Sequence, residues 1–178
     1  MKSEVRIDPM LQRKQLSKEQ AYQKAKHYCA YQERSHTEVR EKLYSFGIRK
    51  QEVEELISQL IEENCLNEER FAIRFAGGKF RMKQWGRIKI RYELKQKRVG
   101  EYCIRKALEA IDEEAYRQTI AKLAERKWKA FNDEQSKIAK IARTTEYLLH
   151  KGYESILIKQ AIEVLKREED FRKENIGQ

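Results

Sequence analysis

Between Gly78 and Lys106 the chain sets eleven lysines and arginines against two glutamates, a local sum of +9 out of a net +10. Arg87, Arg91 and Lys95 recur every four residues. With Ile90 and Leu94 turned inward, they form one stripe on a helix surface, which Arg98 continues. Lys79, Lys83 and Trp85 stand just before this stripe, and Ile88 and Tyr92 form an apolar pair on its far side. Guanidinium groups clamp phosphates or carboxylates in a fork, and neighbouring rings supply apolar contact. The chemistry such a pattern can do is non-covalent capture of a polyanion or of an acidic protein groove. Arg34 and Arg40 are secondary contact candidates, together with Ile88 and Tyr92. The plainer reading is a solvated basic helix, although ordinary surfaces intersperse both signs. Trp85 reads equally as packing in the capping turn or as an exposed contact.

Covalent chemistry has no comparable signal. His27, His36 and His150 sit in unrelated contexts, without HExxH, GxSxG or a phosphate-cradling GxxxxGK[ST]. Cys29, Cys65 and Cys103 are odd in number and contain no CxxC, so neither a zinc cluster nor a disulfide framework is expected. They read as buried thiols in a reducing cytoplasm. No catalytic residue, metal or cofactor is expected, and no enzyme. From Glu52 to Glu69 there are seven glutamates and no lysine or arginine. Part of this run suits the first turns of a helix, where negative charge meets the positive end of the dipole. Its functional reading is contact with a basic surface or screening of a neighbouring module. Gly77-Gly78 inside a helical pattern reads as a close helix crossing.

The elements that must carry the stripe emerge from a repeat. The chain has 178 residues, one proline and seven glycines, too little punctuation for a turn-rich β fold, while 40% hydrophobic residues suffice for a core. Val53, Leu56, Ile57, Leu60 and Ile61 follow helical spacing. Ser35 with Glu38 reads as a capping box, as does Ser17 with Gln20, and Gly47 as a helix-ending left-handed residue. Adding 51 carries Val39, Leu43, Ile48, Val53 and Ile57 onto Ile90, Leu94, Val99, Ile104 and Leu108. Arg98 then replaces Gly47, so the second turn is expected to be capped differently. Adding 105 carries Leu43, Gly47 and Val53 onto Leu148, Gly152 and Ile158, with a poorer fit before residue 148. The helix there is expected to bury Ile138, Ile141, Ala142, Leu148 and Leu149, after a break at Asn132-Asp133.

The expected fold is all-α: three tandem three-helix repeats forming an elongated, curved array. The boundaries are an N-terminal arm at 1–16, modules at 17–66, 67–114 (the basic one) and 115–170, and a charged tail at 171–178.

The motifs resemble one known family. Gln32-Glu33-Arg34-Ser35 through Glu38, Lys42-Leu43 and Gly47-Ile48 is similar to the first-module signature of the RecX regulatory proteins. Leu66-Asn67-Glu68-Glu69-Arg70-Phe71-Ala72 and Gly86-Arg87-Ile88-Lys89-Ile90-Arg91-Tyr92-Glu93-Leu94 resemble its second signature, and Lys151-Gly152-Tyr153 its third turn. Arg98-Val99 departs from the family's usual Gly-Ile, and the first helix lacks the usual leucine-rich start.

This resemblance implies a bacterial, cytoplasmic modulator of the RecA recombinase that binds in the groove of RecA–DNA filaments. It would mostly restrain ATP hydrolysis, strand exchange and coprotease function in recombination and SOS repair. The expected partners are the RecA filament and, more weakly and salt-sensitively, single- and double-stranded DNA, with no membrane; the chain is expected to be a monomer. The alternative is a general DNA-binding helical-repeat protein without a dedicated RecA partner.

Overall fold

A computed structural model describes residues 16–131 and 136–176. Among the described residues there are nine helices and no strand: α1 (Lys18–Tyr31), α2 (His36–Ser45), α3 (Lys50–Glu62), α4 (Glu68–Lys83), α5 (Arg87–Gln96), α6 (Glu101–Glu109), α7 (Glu113–Lys129), α8 (Lys137–Lys151) and α9 (Ser155–Ile176). The chain divides into two compact units, Met1–Phe71 and Ala72–Gln178. The expected arm at 1–16 lies outside the described residues except for Leu16. That residue packs on the first core, and its N–H donates to the Phe46 carbonyl at 3.1 Å.

Helix starts follow local chemistry. Both capping boxes form, at Ser17 with Gln20 and at Ser35 with Glu38. Asn67 Oδ1 accepts the Arg70 N–H at 2.8 Å, and Asp112 and Ser136 cap α7 and α8. Each oxygen satisfies an amide that the helix itself leaves without a partner.

The repeat is visible in the three turns that end α2, α5 and α8. The N–H groups of Ile48, Val99 and Tyr153 donate to the carbonyls of Leu43, Leu94 and Leu148 at 3.4, 3.2 and 3.1 Å. Gly47, Arg98 and Gly152 sit at the left-handed position with φ of 82°, 57° and 87°. The expectation of a different second cap is therefore corrected. Arg98 adopts the glycine conformation and builds the same motif, at a cost in Cβ crowding that glycine avoids.

In the first unit, Ala21, Ala25, Val39, Leu43, Val53, Leu56 and Leu60 form the core. Three carboxylates of the acidic run pair locally: Glu55 with Lys18, Glu63 with Lys26 at 2.7 Å, and Glu54 with Nε and Nη2 of Arg40 at 2.9 and 3.1 Å.

In the second unit, Ile90, Leu94, Ile104 and Leu108 are buried between α5 and α6, and Tyr116, Leu123, Trp128, Leu148, Ile158 and Ile162 among α7, α8 and α9. The face expected to be buried on α8 is mostly the wrong one. Ile138 is 80% exposed and Leu149 48%, whereas Lys140, Thr144 and Leu148 point inward. Thr144 occupies the position of Val39 and Ile90. The Lys140 ammonium, its side chain only 4% exposed, meets Glu169 at 3.4 Å, and Glu169 also accepts the Trp128 indole N–H at 2.9 Å. A buried, carboxylate-paired lysine reads as polar in sequence, which hid this face.

Three smaller expectations change. Only Cys29 is buried, and Cys65 and Cys103 are partly exposed. Gly77-Gly78 marks no close crossing, because a Cβ on Gly78 would meet nothing within 4 Å. The expected tail is helical from 171 to Ile176 as part of α9. The Asn132-Asp133 break lies outside the described residues.

Candidate functional site

Helix α5 carries the stripe and has no side-chain cap at Gly86. Its first amides are satisfied from the third set of helices instead. The N–H groups of Gly86 and Ile88 donate to the carbonyls of Lys151 and Gly152 at 2.8 and 3.0 Å, and Arg87 N–H donates to the Tyr116 hydroxyl at 2.9 Å. The negative end of α8 thus meets the positive end of α5. Only glycine allows this approach, since a Cβ on Gly86 would fall 2.1 Å from the Gly152 oxygen. The Tyr116 hydroxyl donates onward to Glu154 at 2.7 Å, and its ring lies against Phe80 and Tyr153 with centroids 5.7 and 5.1 Å away. Burial pushes the Tyr116 hydroxyl far up, so it stays protonated and keeps donating.

This junction fixes where the sequence-predicted cations lie. The Arg87 guanidinium stacks 4.2 Å from the Tyr116 ring and pairs with Glu113 at 2.8 Å, leaving its side chain 23% exposed. That pairing holds the Glu113 carboxyl below its usual range. Arg91 and Lys95 both reach Glu101, Lys95 at 3.2 Å. Arg98 is the left-handed turn residue. The stripe is therefore real as a geometric row but partly neutralised by Glu101 and Glu113. Ile88 and Tyr92 are exposed beside it. In the first unit, Arg34 stacks 3.9 Å from the Tyr28 ring, and Arg40 is held by Glu54.

Lys79, Lys83 and Trp85 belong to a different face. Arg87 and Lys89 lie ~200° apart around α5, and Lys89 turns toward Trp85. Lys79 and Lys89 each place an ammonium 4.9 Å from the Trp85 ring, and Lys79 also lies 5.2 Å from Phe75. Lys89 donates to the His150 carbonyl at 3.4 Å, and Lys151 donates to the Lys83 carbonyl at 3.1 Å. Beyond that crossing, Lys151 and Lys127 flank Tyr147 at 5.8 and 5.5 Å, and Lys127 lies 5.2 Å from Phe131. Among the described residues no carboxylate pairs with Lys79, Lys89, Lys127 or Lys151.

Sequence reasoning missed Lys89, Lys127, Lys151 and Tyr147 as members of a basic face. The signal was present: Arg143, Tyr147 and Lys151 are four apart, as are Lys127 and Phe131, so cation and ring share one helix face. Among the described residues no cluster of histidine, cysteine or carboxylate groups can hold a metal ion, and no helix is long and apolar enough to cross a membrane.

The profile of the second three-helix domain of RecX matches residues 67–108, and that of the first three-helix domain matches residues 21–60. The chain belongs to the RecX family. Regulatory protein RecX of Clostridium perfringens is 35% identical over 118 residues, covering 66% of this chain and 55% of that protein. Regulatory protein RecX of Bacillus cytotoxicus is 28% identical over 171 residues, covering 96% of this chain and 62% of its relative. The chain thus spans little more than half the length of these curated relatives. The crystal structure of RecX from Lactobacillus salivarius superposes with a TM-score of 0.77 at 24% identity, covering 84% of this chain and 96% of that one, and shares the all-α helical-repeat fold. RecX proteins are regulatory, and the α4–α6 set that bears the basic stripe corresponds to a RecX domain.

Proposed function

We propose that this RecX-family chain is a non-catalytic modulator of the RecA recombinase in the bacterial cytoplasm. It binds in the groove of RecA–DNA filaments and restrains ATP hydrolysis, strand exchange and coprotease activity. The observation that carries this reading is the row Arg87, Arg91 and Lys95 on α5, within the region matched by the second RecX domain. Arg91 and Lys95 share the single carboxylate of Glu101, so the row keeps net positive charge for an acidic groove.

Co-sedimentation separates this reading from general DNA binding. Protein that pellets with RecA–DNA filaments at physiological salt, but not with naked duplex, supports it. A general phosphate binder instead holds naked DNA and loses ~10³–10⁵ in affinity between about 50 and 200 mM salt if it makes ~6–10 phosphate contacts.

A further inference from the structure

Helix α8 turns a stripe outward: Ile138, Ile141, Thr145 and Leu149 share one side of the helix, and Ile138 and Leu149 are exposed. Between this stripe and α9 runs a groove of about 540 Å³, floored by the buried Ile158 and Ile162. The equivalent groove of the second set, 54 residues earlier, presents Arg87 and Arg91 where this one presents Ile141 and Thr145. The third set has thus exchanged two guanidinium groups for uncharged contact. We propose that the α8–α9 groove is a self-association surface, in which a second copy of this chain lays its own α8 stripe across a two-fold axis parallel to the helix.

Charge selects the occupant. The stretch from Gly78 to Lys106 carries +9 of the net +10, so copies of the chain repel through that region. The α8–α9 groove differs, because its two lips carry opposite signs. On the side away from α9, Glu146 flanks the stripe with His150 at 3.8 Å, while Arg143 turns away to lie 5.5 Å from the Phe131 ring. On the α9 side Lys166 is paired with Glu163 at 2.7 Å, which leaves Lys159 as the net charge of that lip. A two-fold axis parallel to α8 sets each lip against the opposite lip of the other copy, so Glu146 of each faces Lys159 of the other. An antiparallel pairing would set each lip against itself. A stripe with oppositely charged flanks is therefore complementary to its own copy, and the two α8–α9 pairs close into a four-helix bundle around it. The pairing departs from the expected monomer. It uses neither basic face and does not rest on the filament reading.

The test is sedimentation velocity of the full chain over a range of micromolar concentrations. The parent is expected to shift from monomer to dimer as concentration rises. Ile138 and Thr145, seven residues apart, run along the middle of the stripe, so the axis sets position 138 against itself. Ile138→Glu and Ile138→Lys are therefore each expected to weaken the dimer by about tenfold or more through like-charge contact. Ile138 is 80% exposed, so neither change touches the core, and helical circular dichroism checks that both variants fold. An equimolar mixture of the two variants is expected to sediment as a dimer again, because opposite charges then meet. A parent that stays monomeric at every concentration overturns the proposal. So does a dimer that both variants leave unchanged, or a mixture that stays as dissociated as either variant alone.

Discussion

Gly86 and Gly152 form a backbone contact so close that neither position has room for a methyl group. A Cβ on Gly152 would fall 2.3 Å from the Lys89 Cβ, and one on Gly86 would fall 2.1 Å from the Gly152 oxygen. One glycine starts α5 and the other ends α8, so the second and third helical sets share a terminus. The orientation of α5, and with it both basic faces, depends on this contact.

Gly86→Ala is therefore expected to destabilise the second unit by ~1–3 kcal/mol or more, as overpacking against backbone does. Gly152→Ala adds left-handed strain to the same clash. Urea denaturation checks the magnitude, and hydrogen exchange should show faster exchange at the amides of Gly86, Arg87 and Ile88. Unchanged exchange there would mean that the junction does not cap α5.

Arg98→Gly should act in the opposite direction. Arg98 holds φ at 57°, which costs a side-chain-bearing residue ~1–2 kcal/mol, while glycine's greater freedom in the unfolded chain returns ~0.5–1 kcal/mol. The expected net gain is a few tenths to about 1 kcal/mol, seen as a raised Tm by calorimetry. A lowered Tm would show that the Arg98 side chain makes compensating contacts.

The Lys140–Glu169 pair is buried, so removing Lys140 takes a close counter-charge away from the Glu169 carboxylate. Lys140→Met is expected to cost ~3–5 kcal/mol. Adding Glu169→Gln removes the charge and retains an acceptor for the Trp128 indole N–H, so the double variant should recover most of that loss. A double-mutant cycle in urea measures the coupling. Additive losses would show that the two side chains do not act as a pair.

In the first unit, the Lys26 ammonium holds the Glu63 carboxyl down at about 2. In the unfolded chain this carboxyl titrates near ~4.3. A carboxylate depressed by folding contributes stability above its unfolded value and loses that contribution as pH falls through its folded value. Glu63→Gln should therefore be less stable than the parent near about pH 7 and converge with it near about pH 2. Glu54, held down by Arg40, acts in the same sense. A constant difference between parent and variant across that window would contradict the assignment.

The repeat was legible because the offset of 51 aligns residues that are all buried: Val39 with Ile90, Leu43 with Leu94, Val53 with Ile104. The α8 face was not, because its inward positions are Lys140 and Thr144 while Ile138, Ile141 and Leu149 point outward or half outward. Apolar spacing selects a stripe but does not say whether the stripe meets its own core. Read in the register of α5, Ile141, Thr145 and Leu149 fall 54 after Arg87, Arg91 and Lys95, which are outward positions. The spacing of Arg87, Arg91 and Lys95 was legible too, but their carboxylate partners were not. Glu113 lies 26 residues from Arg87, and Glu101 becomes a neighbour of Arg91 only once α5 and α6 fold back on each other. The Gly86–Gly152 contact joins positions 66 apart, and no local periodicity marks such a pairing.

Engagement of a RecA filament by the basic row on α5, as proposed, would be read out in RecA ATP hydrolysis on single-stranded DNA. Increasing amounts of this protein should lower the hydrolysis rate to a plateau, and Arg91→Glu, folded as judged by circular dichroism, should need a higher concentration for the same effect. A hydrolysis rate that stays constant when this protein is in excess over RecA would rule out that engagement.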